Sequence, residues 1–395
     1  MLRISVEQRR TRLMRRHHLA SDAPAGSVTD AVHGVLVLHA TDPATVYLSV
    51  LARCPSARLD DVSAAMYDDR SLVKLIAMRR TMFVAPFEFV PVVHAAAGVE
   101  IGRRLRRQLV KALTTLPTEP EIGPDVAEWL ADVENGTEKA LIARGEAFAN
   151  ELAKDEPRLR TATLPTTDKA WDVKANITSR VLTLMGADGR IVRGRPGGTW
   201  ISRQHRWVAS RTIWPDGLPD VSEVDARVTL VRRWLEAFGP ATVADVQWWT
   251  GWTLGASRAA LAELDLVAVD LDGVEGLVLA SDVEPDHAVA PSAALLPALD
   301  PTPMGWQQRD WFLGPHREAL FDRNGNIGPT VWWDGRVIGG WAVREGGELV
   351  WRLLEDAGAE AVSAVEAAAA SLQPRLGGVT VVPSFRTPLE RELSA

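Results

Sequence analysis

One cysteine, Cys54, is all that 395 residues contain, which excludes an internal disulfide framework and any zinc site built from several thiolates. Alone it reads as a small buried hydrophobe. Long apolar runs are also missing: no window approaches the roughly 18 uncharged apolar residues that a membrane span requires. The opening MLRISVEQRRTRLMRR lacks the apolar core of a signal peptide, so the expectation is a cytoplasmic protein. Nucleotide hydrolysis, dinucleotide redox chemistry and α/β-hydrolase chemistry lack their signatures. There is no Gly-x-x-x-x-Gly-Lys-Ser/Thr, no strand-flanked Gly-x-Gly-x-x-Gly and no Gly-x-Ser-x-Gly. The eight histidines include no His-Glu-x-x-His, and His17 and His18 fall on opposite sides of a helix, so neither a metal nor a cofactor is expected. Gly325-Asn-Ile-Gly resembles a phosphate loop only superficially, because a turn between strands explains it.

What is present suits a multidomain globular chain: the length predicts two to four domains, and 46% apolar residues suffice to fill their cores. The net charge of −7 averages two unlike parts. Residues 1–115 carry 17 Arg and Lys against 10 Asp and Glu, so the rest of the chain is strongly acidic. A basic surface gains affinity for DNA by releasing counterions from phosphates, and acidic surface elsewhere limits non-specific binding. The alternative is a set of solvated arginines on helix faces.

Periodicity and turn signals divide the chain into four parts. In 1–115 the pattern gives helices at 6–19, 27–38, 43–53, 59–66 and 70–78, the third opened by Asp42 as cap and Pro43 at its first position. A β-branched and aromatic segment from Arg80 to Pro86 then reads as the strand of a wing. Residues 116–220 follow a linker containing Pro117, Pro120 and Pro124. They repeat the arrangement with a helix at 176–185 and short strands at 190–193 and 199–202 around Gly194-Arg-Pro-Gly-Gly. In 221–288 three helices (226–238, 242–250, 254–264) precede two strands joined at Asp272-Gly273, the element order of a winged helix. Residues 289–395 turn to apolar strands with frequent glycine, which predicts a small C-terminal β-barrel with one helix at 359–372. The fold class is therefore α+β, with tandem winged-helix modules and a terminal barrel. The tryptophans of 234–252 and 306–351 fit packing between the third module and the barrel better than base stacking.

Three segments carry a resemblance to a known family: Val35-Leu-Val-Leu-His-Ala-Thr-Asp-Pro-Ala-Thr-Val-Tyr-Leu-Ser-Val-Leu-Ala-Arg, Met78-Arg-Arg-Thr-Met-Phe-Val, and Leu295-Leu-Pro-Ala-Leu-Asp-Pro-Thr-Pro-Met-Gly-Trp-Gln-Gln-Arg-Asp. Nearly the whole chain resembles the helix-turn-helix family of bacterial DNA glycosylases that unhook interstrand crosslinks and excise N7-alkylated purines. The resemblance implies three winged helices bent into a C-shape around duplex DNA. It also implies a catalytic Gln-x-Gln or Gln-x-Asp just before the proline-initiated helix. Those two positions align with His39 and Thr41, so this sequence has neither glutamine. Two alternatives follow: a variant subfamily running the same chemistry with other residues, or a member that binds without cutting.

An N7-alkylguanine is already cationic and leaves as a neutral base, so the enzyme must stabilise an oxocarbenium ion and aim a water. His39, neutral near pH 7 on its ordinary pKa of about 6.5, can accept a proton while Thr41 fixes the water. On that basis excision falls below about pH 6. Asp42 offers a carboxylate to the developing cation or serves only as the helix cap. No lysine stands in the motif to form a Schiff base, so the activity expected is monofunctional. Arg79 and Arg80 at the first wing, with Arg193, Arg195, Arg203 and Arg206 at the second, are the candidate phosphate contacts. The partner expected is damaged duplex DNA, met by a monomer in the nucleoid. A transcriptional regulator or damage sensor that binds without turnover, and a protein-interaction scaffold without salt-dependent DNA affinity, are the other two function classes.

Overall fold

The computed structural model describes every residue except Trp171. Its architecture is α+β, and one pattern of pairing recurs along the chain. The first instance runs through helix Val28–His33, short strand Leu38–His39, helices Pro43–Arg53 and Leu59–Tyr67, and a hairpin of Leu72–Ala77 and Thr81–Pro86. The short strand pairs with the second hairpin strand, which therefore lies central. In the second instance Glu146–Ala147 pairs with His205–Ala209, which pairs with Ile191–Pro196. In the third the short strand has shrunk to a bridge between Ala241 and Leu277, beside the hairpin Leu266–Asp270 and Glu275–Leu279. The N-terminal strand Leu2–Arg3 adds in parallel to the outer edge of that hairpin.

Local sequence explains the well-formed elements. Helix Pro43–Arg53 starts where Asp42 accepts the Ala44 amide at 3.2 Å and proline occupies the first turn, since proline has no amide to leave unsatisfied there. Helix Val243–Thr250 is opened by a reciprocal cap between Thr242 and Asp245 and stopped by Gly251 in the left-handed region.

Three expectations are corrected. Residues 72–77 form a strand, not the helix expected at 70–78: Leu-Val-Lys-Leu-Ile-Ala is a short apolar run buried on both faces, and periodicity cannot separate such a strand from a buried helix. The second wing's return strand is His205–Ala209 rather than 199–202, because the first strand extends to Pro196 and the loop through Gly197 and Gly198 is correspondingly later. The C-terminal part is not a barrel. Strands Ala293–Leu296, Thr330–Trp333, Arg336–Val343 and Leu349–Leu353 form an open antiparallel sheet, too few strands to close into a barrel around a filled interior. Helix Gly358–Leu372 packs on its first strand and helix Pro388–Leu393 on its third.

The basic N-terminal helix Val6–Arg16 faces inward, contrary to the reading of its charge as a DNA surface. Arg16 bridges Asp282 at 2.6 Å and Asp286 at 2.8 Å, buried Arg12 bridges Asp282 at 3.0 Å, and Arg9 lies 4.1 Å over the ring of Trp311. The tryptophans pack: Trp234, Phe238, Trp249, Trp306, Phe312 and Trp332 form a continuous chain of ring contacts from the third helical module to the open sheet. Beside that chain, Arg53 and Asp300 form a fully buried ion pair at 2.7 Å. Burial opposes ionisation of Asp300, but Arg53, Ser49 and the Thr302 amide together hold its carboxyl below the usual range.

Candidate active site

His39 ends the short strand of the first module, opposite Phe83, and Ala40 continues the ladder through its amide to Met82 at 2.8 Å. The cap at Asp42 and the proline-initiated helix begin directly afterwards. This strand-to-helix transition turns the side chains of His39 and Thr41 into one cavity of about 450 Å³. The opposite walls come from far along the chain: Trp248, the 304–309 segment, Arg317, the 324–326 loop and Phe385. Asp322 holds that loop by accepting the amides of Asn324 at 2.8 Å and Asn326 at 2.9 Å, while Asp245 accepts the Gln307 amide at 2.8 Å.

Two polar atoms on this wall have no partner. His39 Nδ1 and Thr41 Oγ1 are both buried and make no hydrogen bond, an arrangement that costs about 1–3 kcal/mol for each group left unmade. His39 itself is only 6% exposed, its ring edge-on to Phe83 at 5.2 Å. Burial, and secondarily the charge of Arg79, push its pKa down to about 3. It is therefore a neutral imidazole over the whole range from pH 5 to 8, with a nitrogen able to accept a hydrogen bond.

Asp42 does not join them. One carboxylate oxygen caps the helix at Ala44, and the other accepts the Ser384 amide at 2.7 Å, so the group is a cap and a tether with no oxygen turned to the cavity. The lining residues include no carboxylate and three arginines. These form an alternating ladder: Arg79 lies 4.4 Å from the Trp248 centroid, Arg309 4.5 Å from the same ring and 5.3 Å from Phe321, and Arg317 4.8 Å from Phe321. Arg309 is the buried rung, and burial lowers its pKa to about 10. The π faces hold the guanidiniums; Arg309 Nε donates to Trp306 O at 2.7 Å, and the other N–H edges are left for an anionic or carbonyl-bearing ligand. Among the described residues no group of three His, Cys, Asp or Glu is placed to hold a metal.

A site of this geometry, on a strand-to-helix corner facing a cationic wall, can be set beside known proteins. The family model for AlkZ-like DNA glycosylases matches residues 32–374. This chain belongs to that family. An interstrand DNA cross-link repair glycosylase of Streptomyces sahachiroi is 32% identical over 329 residues, which span 80% of this chain and 81% of that protein. The solved structure of the S. sahachiroi DNA glycosylase AlkZ superposes with a TM-score of 0.70 over 97% of this chain and 99% of that one, at 22% identity.

In this AlkZ-like glycosylase the six candidate phosphate contacts separate. Arg79, Arg80 and Arg203 are exposed and make no ion pair among the described residues. Arg195 pairs with Asp68 and stacks on Tyr67; Arg206 pairs with Glu146 at 3.4 Å and stacks on Phe148 at 4.6 Å. Arg193 is half-buried near Trp207. Sequence reasoning missed Arg309, Trp248 and Gln307, and set aside Gly325-Asn-Ile-Gly as a turn although the 324–326 loop lines the cavity. Of these, only the polar run Gln307-Gln308-Arg309 lies inside a segment that carried the family resemblance.

Proposed function

We propose that this glycosylase hydrolyses the N-glycosidic bond of N7-alkylated purines in duplex DNA, crosslinked ones among them, with His39 and Thr41 positioning the attacking water. The observation that carries this reading is the pair of buried, unpartnered atoms, His39 Nδ1 and Thr41 Oγ1, on one wall of the cavity. In this reading a water admitted between them would supply both missing hydrogen bonds. The alkylated base leaves neutral, so no general acid is required. With a pKa near 3, His39 is a weak base before the bond breaks. Its part is to accept a hydrogen bond from the water and then its proton once addition to the oxocarbenium has made that water acidic. No carboxylate lines the cavity, and the amide carbonyls of Gln307, Asn324 and Asn326 are the dipoles available to the developing cation.

The recurrent pairing supports reading the modules as three winged helices, with boundaries at 1–115, 116–220 and 221–288 and the open sheet in 289–395. In a C-shaped arrangement they would embrace the duplex. The activity is monofunctional in this reading and takes place in the cytoplasm, on the nucleoid, by a monomer.

The test is base release from a duplex carrying a single 7-methylguanine, scored by alkaline strand cleavage, with unmodified duplex as control. Release by the native protein and a loss of at least ~100-fold in His39→Ala are expected. Binding of the same duplex without release would overturn the N7-methylpurine assignment and direct the search to bulkier adducts.

A further inference from the structure

Arg79 is a shared wall. On its far side lies a second groove, about 590 Å³, between the helix Val99–Thr115, the hairpin turn at Arg79 and Arg80, and the Thr250–Thr253 corner that opens helix Leu254–Ala262. The corner approaches closely: a Cβ on Gly251, itself at φ +73°, would stand 2.8 Å from Arg79 Cγ. Both arginines of the turn are left-handed, Arg79 at φ 54° and Arg80 at φ 61°, a conformation that non-glycine residues hold only where surrounding structure requires it. The turn sets Arg79 over Trp248 at the cavity and sets Arg80 in the groove.

The groove is cationic and undersupplied with acceptors. Arg80 and Arg104 line it with no ion-pair partner among the described residues, while Arg227 lies 5.3 Å over Trp252 and is itself paired with Glu223. Its one lining acid, Glu100, is already paired with Arg103 at 3.4 Å and Arg107 at 3.3 Å. Two neutral or charged donors end here without acceptors: Trp252 Nε1 and Arg227 Nε are buried and make no hydrogen bond. The Thr253 oxygen accepts the Ala256 amide at 3.2 Å, leaving its hydroxyl hydrogen free to donate. Donors without acceptors, in a trough larger than a single oxyanion that shares Arg79 with the cavity as a common wall, fit an extended polyanion.

We infer that this groove holds consecutive phosphodiesters of the DNA strand that leaves the cavity, an inference that rests on the DNA-glycosylase reading above. Arg80 and Arg104 supply the charge. Trp252 and Thr253 supply neutral donors to phosphate oxygens. Of the phosphate contacts expected from the sequence, Arg80 belongs to this groove, and those on the second module's wing are not needed for this contact.

Binding of an undamaged duplex by the full-length protein, followed by fluorescence anisotropy across a salt series, tests it. Arg104→Ala and Arg80→Ala should each weaken binding on the order of five- to tenfold at 0.1 M salt and lower the log–log salt slope by about one unit. Trp252→Phe should weaken it by about threefold with the slope unchanged, because a neutral donor displaces no counterion. Arg352→Ala, a surface arginine paired with Glu392 on the C-terminal sheet, is the control and should match the native slope. Native-like slopes in both Arg104→Ala and Arg80→Ala, with thermal melting unchanged, would overturn the groove while leaving the glycosylase reading intact. A native protein with no salt-dependent affinity for duplex would overturn the DNA reading and the groove with it.

Discussion

Two buried polar clusters flank the helix Pro43–Arg53, and they are built on opposite rules. At its C-terminal end Arg53 donates to both oxygens of Asp300, to Ser49 O and to Thr302 Oγ1 at 2.7–2.9 Å. His17 closes the cluster, bonding Thr302 at 2.9 Å and Ala237 O at 3.1 Å. Among the described residues only Arg53 Nε lacks a partner there. At the N-terminal end buried His39 and half-buried Thr41 leave Nδ1 and Oγ1, both enclosed, unmet. A satisfied network rigidifies a core, whereas buried polar atoms left open cost stability and persist where a ligand completes them. The first cluster joins the N-terminal helix, the first module and the C-terminal segment; the second faces a cavity.

The largest effect that would break this contrast is on stability. Asp300→Ala leaves the Arg53 guanidinium buried without its counterion and should cost about 3–5 kcal/mol of unfolding free energy, read from chemical denaturation. A loss below about 1 kcal/mol would mean that the cluster relaxes or hydrates. His39→Ala should do the reverse, with base release falling at least ~100-fold while the unfolding free energy stays within about 1 kcal/mol of native, because relief of the unmet Nδ1 offsets the lost edge contact with Phe83. Thr41→Val should lower release by about tenfold, again without loss of stability, since one hydrogen bond to the water disappears.

Acid acts on the two clusters alike in stability. His17 and His39 both have pKa values of about 3 in the fold against about 6.5 when unfolded. Between those values the unfolded chain binds protons that the native state does not. The stability these histidines contribute is thus intact above about pH 6.5 and is lost as pH falls toward 3, by about 1.4 kcal/mol per pH unit for each. Activity, by contrast, should stay flat from pH 8 to pH 5, because His39 remains neutral there. This replaces the fall below pH 6 expected from an unperturbed histidine. A pH–rate profile with an inflection near 6.5 would show that His39 is more hydrated than its surroundings indicate. The smallest effect belongs to Asp42: Asp42→Asn keeps an acceptor for Ala44 or Ser384 and should cost about 0.5–1 kcal/mol, with base release unchanged if the carboxylate takes no part in catalysis.

Much of the first module was legible because its signals are local. A cap followed by proline starts helix Pro43–Arg53 whatever lies around it, and the third module's helices end at Gly239 and Gly251 as their sequences indicate. His39 and Thr41 were found through the family resemblance, not through any feature of their own. Strand Leu72–Ala77 was missed because burial on both faces erases the alternation that marks a strand. The arginines misled for a related reason. Charge counted along the chain says nothing about which aspartate waits 270 residues away for Arg16.

By itself the sequence determined the α+β class, the order of most helices and hairpins and, through three short segments, the glycosylase family. Those properties rest on interactions within a few residues or on residue types alone. The cavity, the tethering of Asp42 between the Ala44 and Ser384 amides, the arginine ladder and the open sheet were decided by the tertiary structure. Each depends on which atoms meet across distances such as the 342 residues between Asp42 and Ser384, and on the burial that moves a histidine's pKa from its ordinary value to about 3. Desolvation and partner geometry are properties of the assembled fold, and no local pattern carries them.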